Sequence, residues 1–312
     1  MKGLVLARKY YQETVYPAFR NAFPEEIGNM AFGLCGPGSE CYGYDDEISR
    51  DHDWGPRVCI WIPEDLFRQR GEEMEQLYRD LPESCCGYGT PKRIDHGVKR
   101  DGVISIPRFF FQFLGVPGPP NTVKEWVSLN EEHLSICTNG EVFDDFHGDF
   151  TSFRKALQDY YPRDVWLKKI VTRCFMFSQY GQYNLKRSLQ RGEKLLSYYN
   201  CSMSIREAAA LYLLLKKTYR PYDKWLFRMV RESGPEGADL FDRFIGIMET
   251  NENDGVLGLV EDTAAILISV LEGELSCTVP LVRNTNFLQD YAFQIQGCIE
   301  DKALRNDIRF QD

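Results

Sequence analysis

Apolar residues Leu4, Leu6, Tyr10, Val15 and Phe19 recur close to a helical period, and the pattern stops before Pro24. It predicts a helix over 4–22 that covers a sheet face. Residues 30–34 (MAFGL) are a short apolar run entering a glycine-rich turn, and residues 57–62 (RVCIWI) are another, closed by Pro63. Both read as buried strands. Residues 64–80 form a charged amphipathic helix, followed by a loop rich in Gly, Pro and Cys to about residue 92. Residues 103–106 (VISI) read as a strand, and Pro107 opens a helix reaching Leu114, since proline is tolerated in a first helical turn. GVPGPPN, 115–121, is a rigid loop.

From Thr151 the texture changes to long helical patterns: 154–161, 165–199, 205–219, 224–232 and 255–275. No internal repeat or low-complexity tract interrupts them. The expected class is α+β: an α/β domain with a mixed sheet over residues 1–150, followed by an all-helical domain over 151–312. The helix at 255–271 is apolar on most faces but carries Glu261 and Asp262. It fits a packed bundle or a homodimer contact better than a membrane.

Composition adds limits. The 312 residues are 43% hydrophobic and 13% aromatic, enough to fill a substantial core. The net charge of -9 argues against a protein that mainly grips a nucleic-acid backbone, and for a small-molecule or cationic substrate. The ten cysteines are scattered, form no CxxC pair and include several inside apolar runs, as at Cys59 and Cys174. They read as reduced core thiols, which points to a cytoplasmic protein. The first residues carry Arg8 and Lys9 where a secretory signal needs an apolar core, and no run approaches a membrane span.

The chemistry concentrates in GPGSECYGYDDEISRDHDW, residues 36–54. If the second strand begins at Asp51-His52-Asp53, the pleat places Asp51 and Asp53 on one side, and two such carboxylates need a cation. Hard oxygen donors favour Mg²⁺, which leaves positions for water and nucleotide phosphates. Gly36 and Gly38 let backbone N–H groups approach phosphate oxygens, and the Ser39 hydroxyl adds a donor. The plainer alternative is a polar turn entering a strand, with His52 structural. Asp45, Asp46 and Glu47 read as a solvated loop or a helix cap that Arg50 neutralises. The adjacent Cys85 and Cys86 suit neither a usual disulfide nor a zinc knuckle and receive no role.

Gly38-Ser39, eleven intervening residues and Asp51-x-Asp53, after an apolar strand, resemble the GS…DxD signature of the nucleotidyltransferase superfamily, which includes aminoglycoside and minimal nucleotidyltransferases. GSECYGYDDEISRDHDWGPR, NGEVFDDFHGDF, SQYGQYNLKR and YRPYDKW are similar to segments of a bacterial nucleotidyltransferase-like family of unassigned function, across most of residues 1–230. The resemblance implies two Mg²⁺ ions, ATP or another NTP as substrate, and transfer of a nucleoside monophosphate to a hydroxyl of a small-molecule acceptor. It implies that Asp51 and Asp53 hold metal, and that Gly36, Gly38 and Ser39 hold the terminal phosphates. A third carboxylate on a later strand completes such sites; Asp145 is favoured for it, then Glu141, with Asp95 a further candidate. The alternative is a catalytically inactive nucleotide-binding or antitoxin-like regulatory module. A nucleic-acid polymerase or tRNA-modifying enzyme fits least, since the chain has no dense basic stripe.

In the helical half, Tyr180, Asn184, Arg187 and Arg191 are spaced to share a helix face, either for nucleotide contact or for solvation. Lys224 follows a proline-bounded aromatic turn, from which it reaches a phosphate or packs on Trp225.

Overall fold

The computed structural model describes residues 1–50, 54–90 and 98–307. The chain divides into two compact units, Met1–Tyr160 and Tyr161–Asp312. The architecture is α+β, with one mixed four-stranded sheet.

In the first unit, the N-terminal helix runs as α1 (Gly3–Tyr10), a π-helical turn at Tyr11–Val15, and α2 (Tyr16–Ala22). The sheet comprises β1 (Ala31–Leu34), β2 (Cys59–Ile62), β5 (Gly102–Ser105) and β6 (Glu141–Asp145), in the order β5-β2-β1-β6. β1 is antiparallel to β2 and β6, and β2 is parallel to β5. A small hairpin, β3 (Ser84–Cys85) and β4 (Tyr88–Gly89), occupies part of the segment whose composition predicts a loop. Strands this short carry too few side chains to show an alternation.

Strand alternation sends Phe32 and Trp61 to opposite faces. Phe32 packs against Tyr11, Tyr16 and Phe19 of the N-terminal helix. Trp61 packs on Phe109 of α4 (Ile106–Leu114) and stacks on Phe150 of α7 (Asp149–Gln158), with ring centroids 3.8 Å apart. Both helices therefore lie over one face. The change of texture at Thr151 is not where the units divide, because Phe150 and Phe153 of α7 bury their rings in the first unit's core. α5 (Val123–Ser128) and α6 (Glu131–Thr138) follow α4 in the chain and precede β6.

The β1–β6 register shifts between Phe32 and Gly33. A Cβ on Gly33 would lie 2.4 Å from the Glu141 carbonyl oxygen and 2.9 Å from the Trp61 ring, so only glycine lets β6 close in at the bulge. On the other edge, α3 (Glu64–Arg79) covers β5. Its Glu75 accepts hydrogen bonds from the Val103 N–H at 2.9 Å and Lys99 Nζ at 2.7 Å. An edge strand's unpaired N–H is thereby satisfied.

Among the described residues, the elements of the second unit are all helical. α8 (Arg163–Phe177) continues through a π-helical turn, Ser178–Asn184, into α9 (Leu185–Gln190). The sequence pattern runs this helix on to residue 199, but Gly192, at φ 69°, breaks it, and α10 (Lys194–Leu215) starts anew. α10 is the core helix, buried at every position from Ala208 to Leu215. A buried ion pair, Arg173 Nη1 to Glu207 Oε2 at 2.9 Å, ties it to α8. The remaining helices are α11 (Asp223–Glu232), α12 (Pro235–Glu249), α13 (Asn253–Leu275), α14 (Leu288–Gly297) and α15 (Lys302–Asn306). No described helix is long and apolar enough to cross a membrane.

Burial pushes the Glu75 carboxyl up, but Lys99 and the Val103 N–H outweigh it and hold it below the ordinary range. A depressed carboxylate stabilises the fold above its unfolded pKa and loses that contribution as pH falls through its folded value. Glu75→Gln is therefore expected to lower the denaturation midpoint at neutral pH. The gap from the parent should close in urea titrations run stepwise below about pH 4.

Candidate functional site

The chain leaves β1 at Leu34 and turns through Gly36, Pro37 and Gly38 into a single 3₁₀ turn, Ser39–Tyr42. Gly36 does not offer its N–H to a ligand as the sequence suggests. That N–H donates to Asn139 Oδ1 at 3.1 Å, and Asn139 Nδ2 donates back to the Gly36 carbonyl at 2.8 Å. Gly38 is extended, and a Cβ there would lie 2.5 Å from both carboxylate oxygens of Glu40. Any larger residue there would have to displace the Glu40 carboxylate from over the turn. The half-buried Ser39 hydroxyl makes no hydrogen bond among the described residues.

Glu40 points inward because Arg57 is there. The two form a buried ion pair between Glu40 Oε1 and Arg57 Nη2, tying the turn after β1 to the chain entering β2. Burial works against the Arg57 charge, and the adjacent Glu40 more than restores it. Asp45 is no solvated loop residue: it is buried and accepts hydrogen bonds from the Gly3 N–H at 2.7 Å and Trp54 Nε1 at 3.1 Å. It thus caps α1, as an acid at a helix N-terminus does. Asp46 caps the short turn Ile48–Arg50 through the Ser49 N–H at 2.9 Å. Arg50 lies over the rings of Trp54 and Tyr88, at 4.9 and 5.7 Å, instead of pairing with these acids.

Asp51, His52, Asp53 and Asp95 lie outside the described residues. Among the described residues, β2 begins at Cys59, and residues 54–58 are not strand. Gly33 pairs with Cys59, Leu34 with Glu141, and Cys59 with Gly102. The glycine turn, the chain entering β2, the start of β5 and the start of β6 therefore share one end of the sheet.

Glu141 is at that end, where its Oε1 pairs with Arg8. Asp145 is not. It pairs with Ala31 at the far end of β1, and its two oxygens accept from the N–H groups of Gly148 and Thr151, both at 2.8 Å. Asp145 caps α7, which removes it from the role of third carboxylate. Asp101 was missed: directly before β5, it accepts from the Tyr78 hydroxyl at 3.1 Å, and Tyr78 in turn accepts from the Val58 N–H at 3.1 Å. An acid immediately before an apolar strand was the available signal. Asn139 carried none beyond the turn dipeptide Asn139-Gly140.

Beneath the turn, Arg154 of α7 donates to Cys35 Sγ at 2.8 Å and to the Thr138 carbonyl at 2.8 Å. Burial pushes the Cys35 thiol up to about 11, with Arg154 pulling the other way. Cys41, Cys59 and Cys137 are buried thiols as well, so this cluster is packing.

In the second unit, Asn184 ends the π-helical turn, and Arg187 and Arg191 are exposed. Arg187 stacks on Tyr183 at 3.9 Å, and Tyr180 meets Tyr199 edge-on. Lys224 lies over the Trp225 ring at 4.9 Å, the packing arrangement. A cavity of about 330 Å³ is lined by Leu189, Lys194, Tyr198, Met248, Asn251 and neighbouring side chains, none of which the sequence singled out. It is of the size that small ligands fill.

A family model described as a domain of unknown function, DUF4037, matches residues 126–226. No curated protein matches the chain. Among solved structures, a nucleotidyltransferase-like protein from Exiguobacterium sibiricum 255-15 is similar over 90% of this chain and 88% of that one, at 11% identity and a TM-score of 0.38.

Proposed function

We propose that the chain is a nucleotidyltransferase that moves a nucleoside monophosphate from ATP or another NTP to a hydroxyl of a small-molecule acceptor. The observation that carries this reading is the strand register. It gathers the Ser39 turn, residues 54–58 entering β2, and Glu141 at one end of the sheet, and the reading adds Asp51 and Asp53, which lie outside the described residues, to that end. A GS turn and a DxD pair separated along the chain are useful together only if the fold returns the second beside the first.

The carboxylates that this reading assigns to the site would suit Mg²⁺. They are hard oxygens, and Glu141, about two-fifths exposed, has committed only Oε1 to Arg8. Asp51 and Asp53, with Glu141, are the residues to hold the ion. When bound, it neutralises phosphate charge and polarises the phosphorus. The Ser39 hydroxyl donates to a phosphate oxygen. The Glu40 carboxylate occupies the Cβ side of Gly38, so any close backbone approach there is from the other side. The Gly36 N–H takes no part, since Asn139 holds it. Asn139 instead fixes the turn so that Ser39 is pre-positioned, which lowers the ordering cost of binding.

A second reading, nucleotide binding without turnover, is favoured by one observation. Glu40, Asp101 and Glu141 at this end of the sheet already have partners in Arg57, Tyr78 and Arg8.

Incubation with labelled ATP, Mg²⁺ and a metabolite extract is expected to yield a product heavier by one nucleoside monophosphate, with pyrophosphate released. Asp53→Asn should abolish both signals while leaving the circular dichroism spectrum unchanged. ATP bound with no pyrophosphate under any acceptor would support the inactive module instead. Ser39→Ala is expected to weaken nucleotide binding about tenfold, the loss of one hydrogen bond to a charged group, measured by calorimetry. An unchanged affinity would remove Ser39 from the site.

A further inference from the structure

The adjacent cysteines left without a role lie at the tip of the β3–β4 hairpin. Ser84 pairs with Gly89 and Cys85 with Tyr88, so Cys86 and Gly87 form a two-residue loop. Both have positive φ, 53° and 82°, as a type I′ turn demands. Asparagine or glycine is the usual residue at the first of these positions, and a cysteine there is held against its backbone preference. The result is that the two sulfurs turn to the same side, 3.6 Å apart.

The hairpin is fixed against the N-terminal helix. Tyr10 donates from its hydroxyl to the Pro82 carbonyl at 3.2 Å. One turn further on, the π-helical segment Tyr11–Val15 carries Glu13, and π-turns recur where a helix must present a side chain out of its regular register. A carboxylate oxygen of Glu13 and the sulfurs of Cys85 and Cys86 all lie within 4.8 Å of one another. Cys85 is buried, while Cys86 and Glu13 are exposed, so the cluster has one wall in the protein and one open to solvent.

We infer that Glu13, Cys85 and Cys86 form a binding site for a thiophilic divalent ion, with zinc as the ion whose geometry the donors match. Two thiolates at about 2.3 Å from a tetrahedral zinc stand about 3.8 Å apart, and a thiolate and a carboxylate oxygen about 3.6 Å apart. The observed sulfur separation meets the first figure within a few tenths of an ångström. Two sulfurs with one oxygen select a soft or borderline ion over Mg²⁺ or Ca²⁺. Three protein donors leave a fourth position for water, since the site is open on one side. Binding replaces the two thiol protons, which pass to solvent, and no electron is transferred.

The site is independent of the nucleotidyl-transfer reading and is tested without nucleotide. Protein purified under reductant and stripped with chelator is titrated with Zn²⁺ against a chromogenic indicator. In parallel, each cysteine is alkylated with and without the ion and followed by mass spectrometry. One thiol-dependent ion per chain is expected, the stoichiometry falling by one in the double cysteine variant, with Cys85 and Cys86 protected from alkylation and the exposed Cys277 unprotected. Cys85→Ser or Cys86→Ser should remove the binding. Glu13→Gln should weaken it by about tenfold or more. Cadmium in place of zinc should give thiolate charge-transfer absorption that is lost in the same cysteine variants. The inference is overturned by zinc that leaves both thiols reacting at their metal-free rate, or by stoichiometry that survives the Cys85→Ser/Cys86→Ser double variant. Recovery of a Cys85–Cys86 disulfide in place of a bound ion overturns it equally. The alkylation result on the parent protein stands even if a variant folds poorly.

Discussion

The buried ion pair between Glu40 and Arg57 is the constraint on which the candidate site rests. Removing one partner of such a pair leaves an uncompensated charge and costs about 3–5 kcal/mol, much of a domain's net stability. The pair dictates its surroundings. The Glu40 carboxylate fills the place that a Cβ on Gly38 would take, and the chain entering β2 is fixed relative to the turn leaving β1 because Arg57 precedes the strand. Asn139 completes the arrangement from the β6 side by closing both polar groups of Gly36. A turn tied from two directions is preorganised and has little ordering left to do when a ligand arrives.

Aromatic layers cover both faces of the sheet. Trp61 and Phe150 stack across one face, and the Phe32 cluster seals the other. Arg154 reaches under the turn to the Cys35 sulfur and the carbonyls of Thr138 and Gly140. These are packing and hydrogen-bonding roles for residues that a charge-based reading would call functional. The second unit repeats the strategy with Arg173 and Glu207, a buried pair joining its two central helices. In both units a buried charge is tolerated because its partner is supplied by a different element, which fixes the register between the two.

The candidate chemistry divides by the same logic. Carboxylates that meet the first N–H groups of a helix become caps: Asp45 for α1, from 42 residues away, and Asp145 for α7. At the C-terminal end of β1, Glu40 is turned inward to Arg57, while Glu141 stays partly exposed with one oxygen on Arg8. The cysteines divide likewise. Cys35, Cys41, Cys59, Cys137 and Cys174 are buried thiols, whereas Cys85 and Cys86 are turned together by a hairpin loop.

The sequence by itself determined the elements whose signal is local. The apolar runs of β1, β2 and β5, the amphipathic period of α3, Pro107 opening α4 and the all-helical texture of the second half were legible because periodicity and proline act within a few residues. The GS turn and the acidic stretch after it were legible as a pattern. What only the tertiary structure decided depends on which distant groups meet. No local signal says that Asn139 would take the Gly36 N–H, that Asp145 would stand at the wrong end of the sheet, or that Asp101 would stand at the right one. Strand register and helix packing fix those outcomes, and both are settled by burial across the whole unit. The same holds for Glu13 beside Cys85 and Cys86, which lie some seventy residues apart in the chain and meet only because Tyr10 docks the hairpin onto the helix.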